Sequence, residues 1–113
     1  MSQRKPKHYY CEMWKMNFYY FMGWSQASFV KYLNSNLGYK TEEKPADGRT
    51  ILVESENSLI ICLWTKEKQD RPTLAHEAVH AACFTLSHAG VDPSFDNDEP
   101  LAYLTGLIVK KAA

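Results

Sequence analysis

The sequence has no apolar stretch long enough to cross a bilayer. The aromatic segment 17–24 is short and mixed with polar residues, and 104–109 is shorter still; a spanning helix needs about 20 apolar residues. The amino-terminal end also lacks the apolar core of a secretory signal peptide. Cysteine is scarce: Cys11, Cys62 and Cys83 are odd in number and scattered. That argues against a disulfide framework and for reduced thiols in a cytoplasmic protein. Excess charge of either sign is missing, because 13 Lys and Arg balance 13 Asp and Glu. With no broad basic patch, nucleic acid is not an expected partner. Internal repeats and low-complexity tracts are absent too. These absences point to a soluble cytoplasmic protein that does not insert into a membrane.

What is present suits one globular domain. The 113 residues are 45% hydrophobic and 23% charged, enough for a modest core. Residues 1–7, with the basic run Arg4-Lys5-Pro6-Lys7, are expected to form a flexible tail. Segment 8–21 is dense in aromatics, which favour strands. Tyr10, Trp14, Met16, Phe18, Tyr20 and Met22 would share one face, with a bend near 15–17. Sheet core explains this run better than an aromatic wall for a peptide.

Ser25 is placed to cap a helix over 26–37, whose stripe is Phe29, Val30, Leu33 and Leu37 and whose stop is Gly38. A charged loop follows, ending in an Asp47-Gly48 turn. Segments 49–54 and 58–65 read as strands of a hairpin joined at Ser55-Glu56-Asn57. The second is apolar on both faces, so it should be central or covered. Pro72 opens a helix that runs to about His88 and closes at Ala89-Gly90. A connector then leads to a last helix over 98–111, with Leu101, Leu104, Leu107 and Ile108 as its buried stripe. The expected fold is α+β: a small, mainly antiparallel sheet packed against three helices.

The chemistry concentrates in His76-Glu77-Ala78-Val79-His80. Residues four apart on a helix share a face, so His76 and His80 can aim both imidazoles at one ion. Glu77 projects about 100° away from His76, too far round to be a third ligand but placed to reach a nearby water. Two ligands and one general base is the physical content of the H-E-x-x-H pattern. Besides Cys83, these three are the only ionisable side chains in 73–86. So apolar a helix should be buried on most sides, and a metal would offset the cost of burying the three groups.

A catalytic zinc normally takes three protein ligands. A third histidine six residues after His80 would suit the metzincins, but Leu86 stands there. The same helix cannot wrap His88 round the ion. Cys83 lies about 10 Å of helix rise from His76, far beyond zinc bonds of about 2.0–2.3 Å. The better candidate is Glu99, in Asp96-Asn97-Asp98-Glu99-Pro100-Leu101-Ala102-Tyr103, with eighteen residues between it and His80. Asp98 and Glu99 also suit the plain role of acids in a helix's first turn, with Asn97 or Asp96 as cap.

In this last third the chain resembles the gluzincin clan of zinc metallopeptidases, notably its small intracellular and phage-type members. Their pattern is H-E-x-x-H followed, after about that gap, by a glutamate on a second helix. The resemblance implies a minimal zincin-like domain spanning the chain. Its Zn2+ would be held by His76, His80 and Glu99, Glu77 would be the general base, and the substrate would be a peptide or protein. Endopeptidase action is the expectation, because nothing resembles the amino-end anchor of aminopeptidases. Related enzymes use a tyrosine or histidine on the oxyanion; Tyr103, one turn from Glu99, is the first tyrosine to consider, and His88 is a weaker choice. The thermolysin-like pattern has an aspartate where Tyr103 stands, so support for a ligand would have to come from elsewhere, such as Asp96 or Asp98. By analogy with zincins, one of the two strands before the motif helix would carry the substrate backbone. Two other readings stay open: a zinc-binding but non-catalytic peptide-interaction module, and a deformylase-like amide hydrolase using Cys62 as a ligand.

Overall fold

The structure, a computed structural model, describes residues 4–55, 58–94 and 96–113. The elements are β1 (Lys7–Cys11), β2 (Met16–Met22), α1 (Gln26–Asn36), β3 (Gly48–Glu54), β4 (Leu59–Thr65), α2 (Arg71–His88) and α3 (Glu99–Ala112). The strands form one sheet in the order β1-β2-β4-β3. Its outer pairings are antiparallel and its central β2–β4 pairing is parallel. The class is therefore α+β with a mixed sheet. Apolar on both faces, β4 is an interior strand, as its composition predicts.

The aromatic run reverses completely at residues 12–15, ahead of the bend expected near 15–17, where β2 has already begun. Lys15 takes a left-handed φ of 53° to close the turn. The reversal changes which residues share a face. Cys11 pairs with Met16 and Tyr9 with Phe18, and directly opposed residues point the same way. Odd-numbered Tyr9 and Cys11 thus join even-numbered Met16, Phe18 and Tyr20 in one core cluster. Tyr10 is left half exposed instead of packing with them. β1 begins at Lys7, inside the segment expected to be a tail, and the Arg4 guanidinium lies 4.6 Å from the Trp24 ring centroid.

Helices cover both faces of the sheet. On one side, α1 packs Phe29 and Leu33 against Phe21, Ile51, Cys62 and Trp64. Its cap is the predicted one: the Ser25 hydroxyl accepts the Ser28 N–H at 3.1 Å. Gly38, at φ 66°, turns the chain out of the helix. On the other side, α2 presents Ala78, Ala81, Ala82 and Leu86, and α3 presents Leu104 and Ile108, to Phe18, Tyr20, Ile61 and Leu63. Three small alanines at i, i+3 and i+4 let α2 lie close to the strands. The Tyr20 hydroxyl donates to the Ile108 carbonyl at 2.9 Å, tying α3 to β2.

Asp70 caps α2, its carboxylate accepting the Thr73 N–H at 3.1 Å and the Thr73 hydroxyl at 2.5 Å. The two C-terminal helices run antiparallel, since Val109 and Ala112 line the same cavity as Arg71 and Leu74. The hairpin β3–β4 is present, with the Ser55 N–H donating to the Ser58 carbonyl; Glu56 and Asn57 of its expected joint lie outside the described residues. Among the described residues, no helix is long and apolar enough to cross a membrane.

Candidate metal and catalytic site

The motif helix α2 is buried on one face only. Sheet and α3 cover its alanine side, leaving Ala75, His76, Val79, His80 and Phe84 exposed. The expectation that all three motif side chains are buried therefore fails for both histidines. Only Glu77 is inside, 7% exposed, whereas the His76 side chain is 68% exposed. No burial cost of two imidazoles needs to be offset, and the case for a metal rests on geometry alone.

That geometry is specific. The Nε2 atoms of His76 and His80 stand 3.2 Å apart. Two nitrogens on a tetrahedral zinc stand roughly 3.3–3.4 Å apart, given Zn–N bonds of about 2.0–2.1 Å. The rings meet edge to face, with centroids 4.9 Å apart and planes at 74°. Glu77 Oε2 lies 4.0 Å from His76 Nε2. The two imidazoles thus meet at their Nε2 atoms, within hydrogen-bond range of each other, with a carboxylate beside them.

Glu77 is held from the neighbouring strand. The Thr50 hydroxyl lies 2.6 Å from Glu77 Oε1 and 3.0 Å from the Glu77 backbone carbonyl. Its single proton goes to the nearer, charged oxygen, making a charge-assisted bond. Gly48 makes this approach possible. A Cβ there would meet Thr73 Cγ2 at 2.5 Å, the Trp64 carbonyl at 3.0 Å and Glu77 Cγ at 3.1 Å. Expected as a turn residue, Gly48 is instead the first residue of β3, and its missing side chain is the space into which α2 fits.

An open cleft of about 530 Å³ follows the β3 edge, lined by Tyr39, Thr50, Glu77, His80 and Phe84 among others. A second hollow continues past Glu77 to His76, Gly48 and Thr73. Since β3 is the outer strand, its free edge borders the motif, and it is this strand, not β4, that lies beside Glu77.

The other candidates stand elsewhere. Among the described residues, no three His, Cys, Asp or Glu side chains converge at metal-binding range, so neither Glu99 nor Cys83 stands with the histidine pair. Glu99 is the exposed first residue of α3, and Asp98 takes the N-cap position without a side-chain cap bond. The histidine pair fits two corners of a zinc site, while among the described residues no third protein donor joins it. Tyr103 is 69% exposed, and its electrostatic neighbour is Tyr9 on β1, at the opposite edge of the sheet. His88 ends α2 in its last turn, the position that suits a cation at the negative end of the dipole. Cys62 is buried in the α1-side cluster, on the sheet face away from α2, and burial pushes its thiol pKa up. It cannot serve a site on α2, which removes the basis for the deformylase-like reading.

The chain matches no known protein family, curated protein or solved structure.

Sequence reasoning missed Thr50, Gly48 and Tyr39. Strand alternation over 49–54 already put Thr50 and Leu52 on one face; what it lacked was which helix covers that face. Tyr39 sits where Gly38 redirects the chain after α1, its N–H donating to the Leu33 carbonyl at 2.9 Å. A loop residue of this kind has no periodic signal.

Proposed function

We propose that this protein is a zinc-dependent hydrolase of peptide amide bonds, of minimal zincin-like build. The observation that carries the proposal is the pairing of two imidazole nitrogens at 3.2 Å with a buried, strand-anchored carboxylate next to them. His76 and His80 would hold the ion, and Glu99 is the third donor to test. A Zn2+ there would supply a Lewis acid and lower the pKa of a water towards about 7. Glu77 takes a proton from the attacking water and returns it to the leaving nitrogen. Thr50 fixes the carboxylate so that one oxygen stays bonded while the other faces the reacting groups. An extended substrate lies along the free edge of β3 by strand addition, which brings its backbone past Glu77. Tyr39, which lines the cleft, is the tyrosine to test as a donor to a developing oxyanion.

The test is metal content by mass spectrometry on protein purified without a metal-affinity tag. One zinc per chain is expected, lost in His76→Ala and His80→Ala. Weakened retention in Glu99→Ala would make Glu99 the third ligand; undiminished retention would move that role elsewhere. Glu77→Gln should keep zinc and lose hydrolysis. A Glu77→Gln protein that keeps zinc and cleaves peptides at the wild-type rate would overturn the mechanism. A wild type that binds one zinc but cleaves no peptide would favour the non-catalytic interaction module.

A further inference from the structure

The cleft has a second wall that the hydrolytic groups do not use. Side chains alternate across β3. Thr50 reaches Glu77 on the α2 side, while Ile51 and Val53 pack on the α1 side, and Arg49 shares their parity. The cleft wraps round the strand edge, so Arg49 and Lys44 border it as well as Glu77 and His80.

The Arg49 guanidinium and the Lys44 backbone are held in place by uncharged partners. The Arg49 guanidinium donates to Gln26 Oε1 at 3.3 Å, the Glu42 carbonyl at 2.9 Å and Thr41 Oγ1 at 3.0 Å. All three acceptors are uncharged; Glu42 offers its carbonyl and not its carboxylate. Gln26 also grips the Lys44 backbone at both ends, donating to its carbonyl at 2.8 Å and accepting its N–H at 2.9 Å. One glutamine on α1 therefore bonds the Arg49 guanidinium and the backbone of Lys44, both at the same cleft. Among the described residues, no Asp or Glu carboxylate lies within 4.0 Å of the Arg49 guanidinium or the Lys44 ammonium.

We propose that Arg49 and Lys44 select a carboxylate side chain on the extended peptide that lies along β3. The proposal rests on the peptide-hydrolase reading and names its substrate preference. In a strand added at this edge, successive side chains alternate between the two sides. The residue over Glu77 and His80 is flanked by neighbours that face Arg49 and Lys44. The preferred substrate therefore carries Asp or Glu next to the residue that faces the reacting groups. A guanidinium already anchored loses little rotamer freedom on binding, and its three existing bonds leave part of its fork free for a carboxylate.

The experiment uses zinc-loaded Glu77→Gln protein, which should hold peptides without cleaving them. It is challenged with a positional decapeptide library, made once with amide-capped C-termini and once with free ones. Enrichment of Asp or Glu at one position in the capped library is expected. The best acidic peptide should bind about tenfold more tightly than its Asn or Gln counterpart. Arg49→Met should erase that difference while leaving the neutral peptide within about twofold. Because Arg49 also anchors the loop, Lys44→Gln serves as the second variant; it keeps the Gln26 clamp on the backbone and should reduce the preference on its own. Enrichment only in the free-carboxyl library would assign the cations to a peptide C-terminus and overturn the side-chain proposal. Peptide capture without acidic preference, or a preference that survives both variants, would also overturn it. Neither result touches the hydrolase reading, which is judged by zinc content and wild-type cleavage.

Discussion

At the scale of single residues, the site depends on two small features of β3. The Thr50 hydroxyl donates the hydrogen bond that anchors the Glu77 carboxylate to β3. Thr50→Val removes it at nearly constant shape and leaves a buried carboxylate with less support, which costs about 1–3 kcal/mol. Urea denaturation should show that loss in Thr50→Val. In a Glu77→Gln background the same substitution should cost less, because the group left behind is uncharged. The second feature is Gly48. A methyl there would collide with Thr73 Cγ2 and press on Glu77 Cγ. Gly48→Ala should destabilise the fold by about 1–3 kcal/mol through overpacking, again by denaturant midpoint, and should weaken zinc binding if the strain displaces α2. Both effects come from contacts between β3 and α2 that are distant in sequence, so the motif itself gives no sign of them.

At the scale of elements, helices were more legible than faces. The cap of α1 at Ser25, its stop at Gly38, Pro72 in the first turn of α2 and the end of α2 at Ala89-Gly90 follow from local chemistry: a side-chain cap, a left-handed glycine, a proline that needs no donor. Burial of α2 was misread because an apolar composition does not say how many neighbours a helix has. Placed at one side of a four-stranded sheet, α2 leaves Val79 and Phe84 in solvent despite their character. The reversal at residues 12–15 was equally hidden, since alternation continues through a turn with only a change of parity. The histidine pair and Glu77 were readable because i and i+4 geometry is intrinsic to a helix. The place of Glu99 depends on a connector whose path no local rule sets. The α2 cap carries its own prediction. Its bonds to Thr73 hold the Asp70 carboxyl below the usual carboxylate range. The stabilisation is present above that range and fades as pH falls through the lowered value. Asp70→Ala should therefore lower the thermal midpoint at neutral pH and matter less in strong acid.

At the scale of the whole molecule, burial of neutral acids sets the alkaline limit. Desolvation raises the pKa of Cys62, Tyr20, Tyr32 and Tyr9. The folded state thus favours their protonated forms. Stability should be intact below the ordinary thiol and phenol values, about 8.5 and 10, and fall as pH rises past them. Urea midpoints measured across pH 7 to 11 should be flat and then decline (roughly from the thiol value upward). Native-state thiol labelling should reach half-buried Cys83 and spare Cys11 and Cys62. The parallel seam between β2 and β4 has a different consequence. It joins two hairpins, each formed from neighbouring sequence, and it is the central pairing of the sheet. Pieces divided within the exposed loop between α1 and β3 would each keep one hairpin, with one edge of the seam unsatisfied and an apolar face uncovered. Separate chains of residues 1–42 and 43–113, produced together, should reassemble along that seam, so that a single gene could be split into two that work only in company.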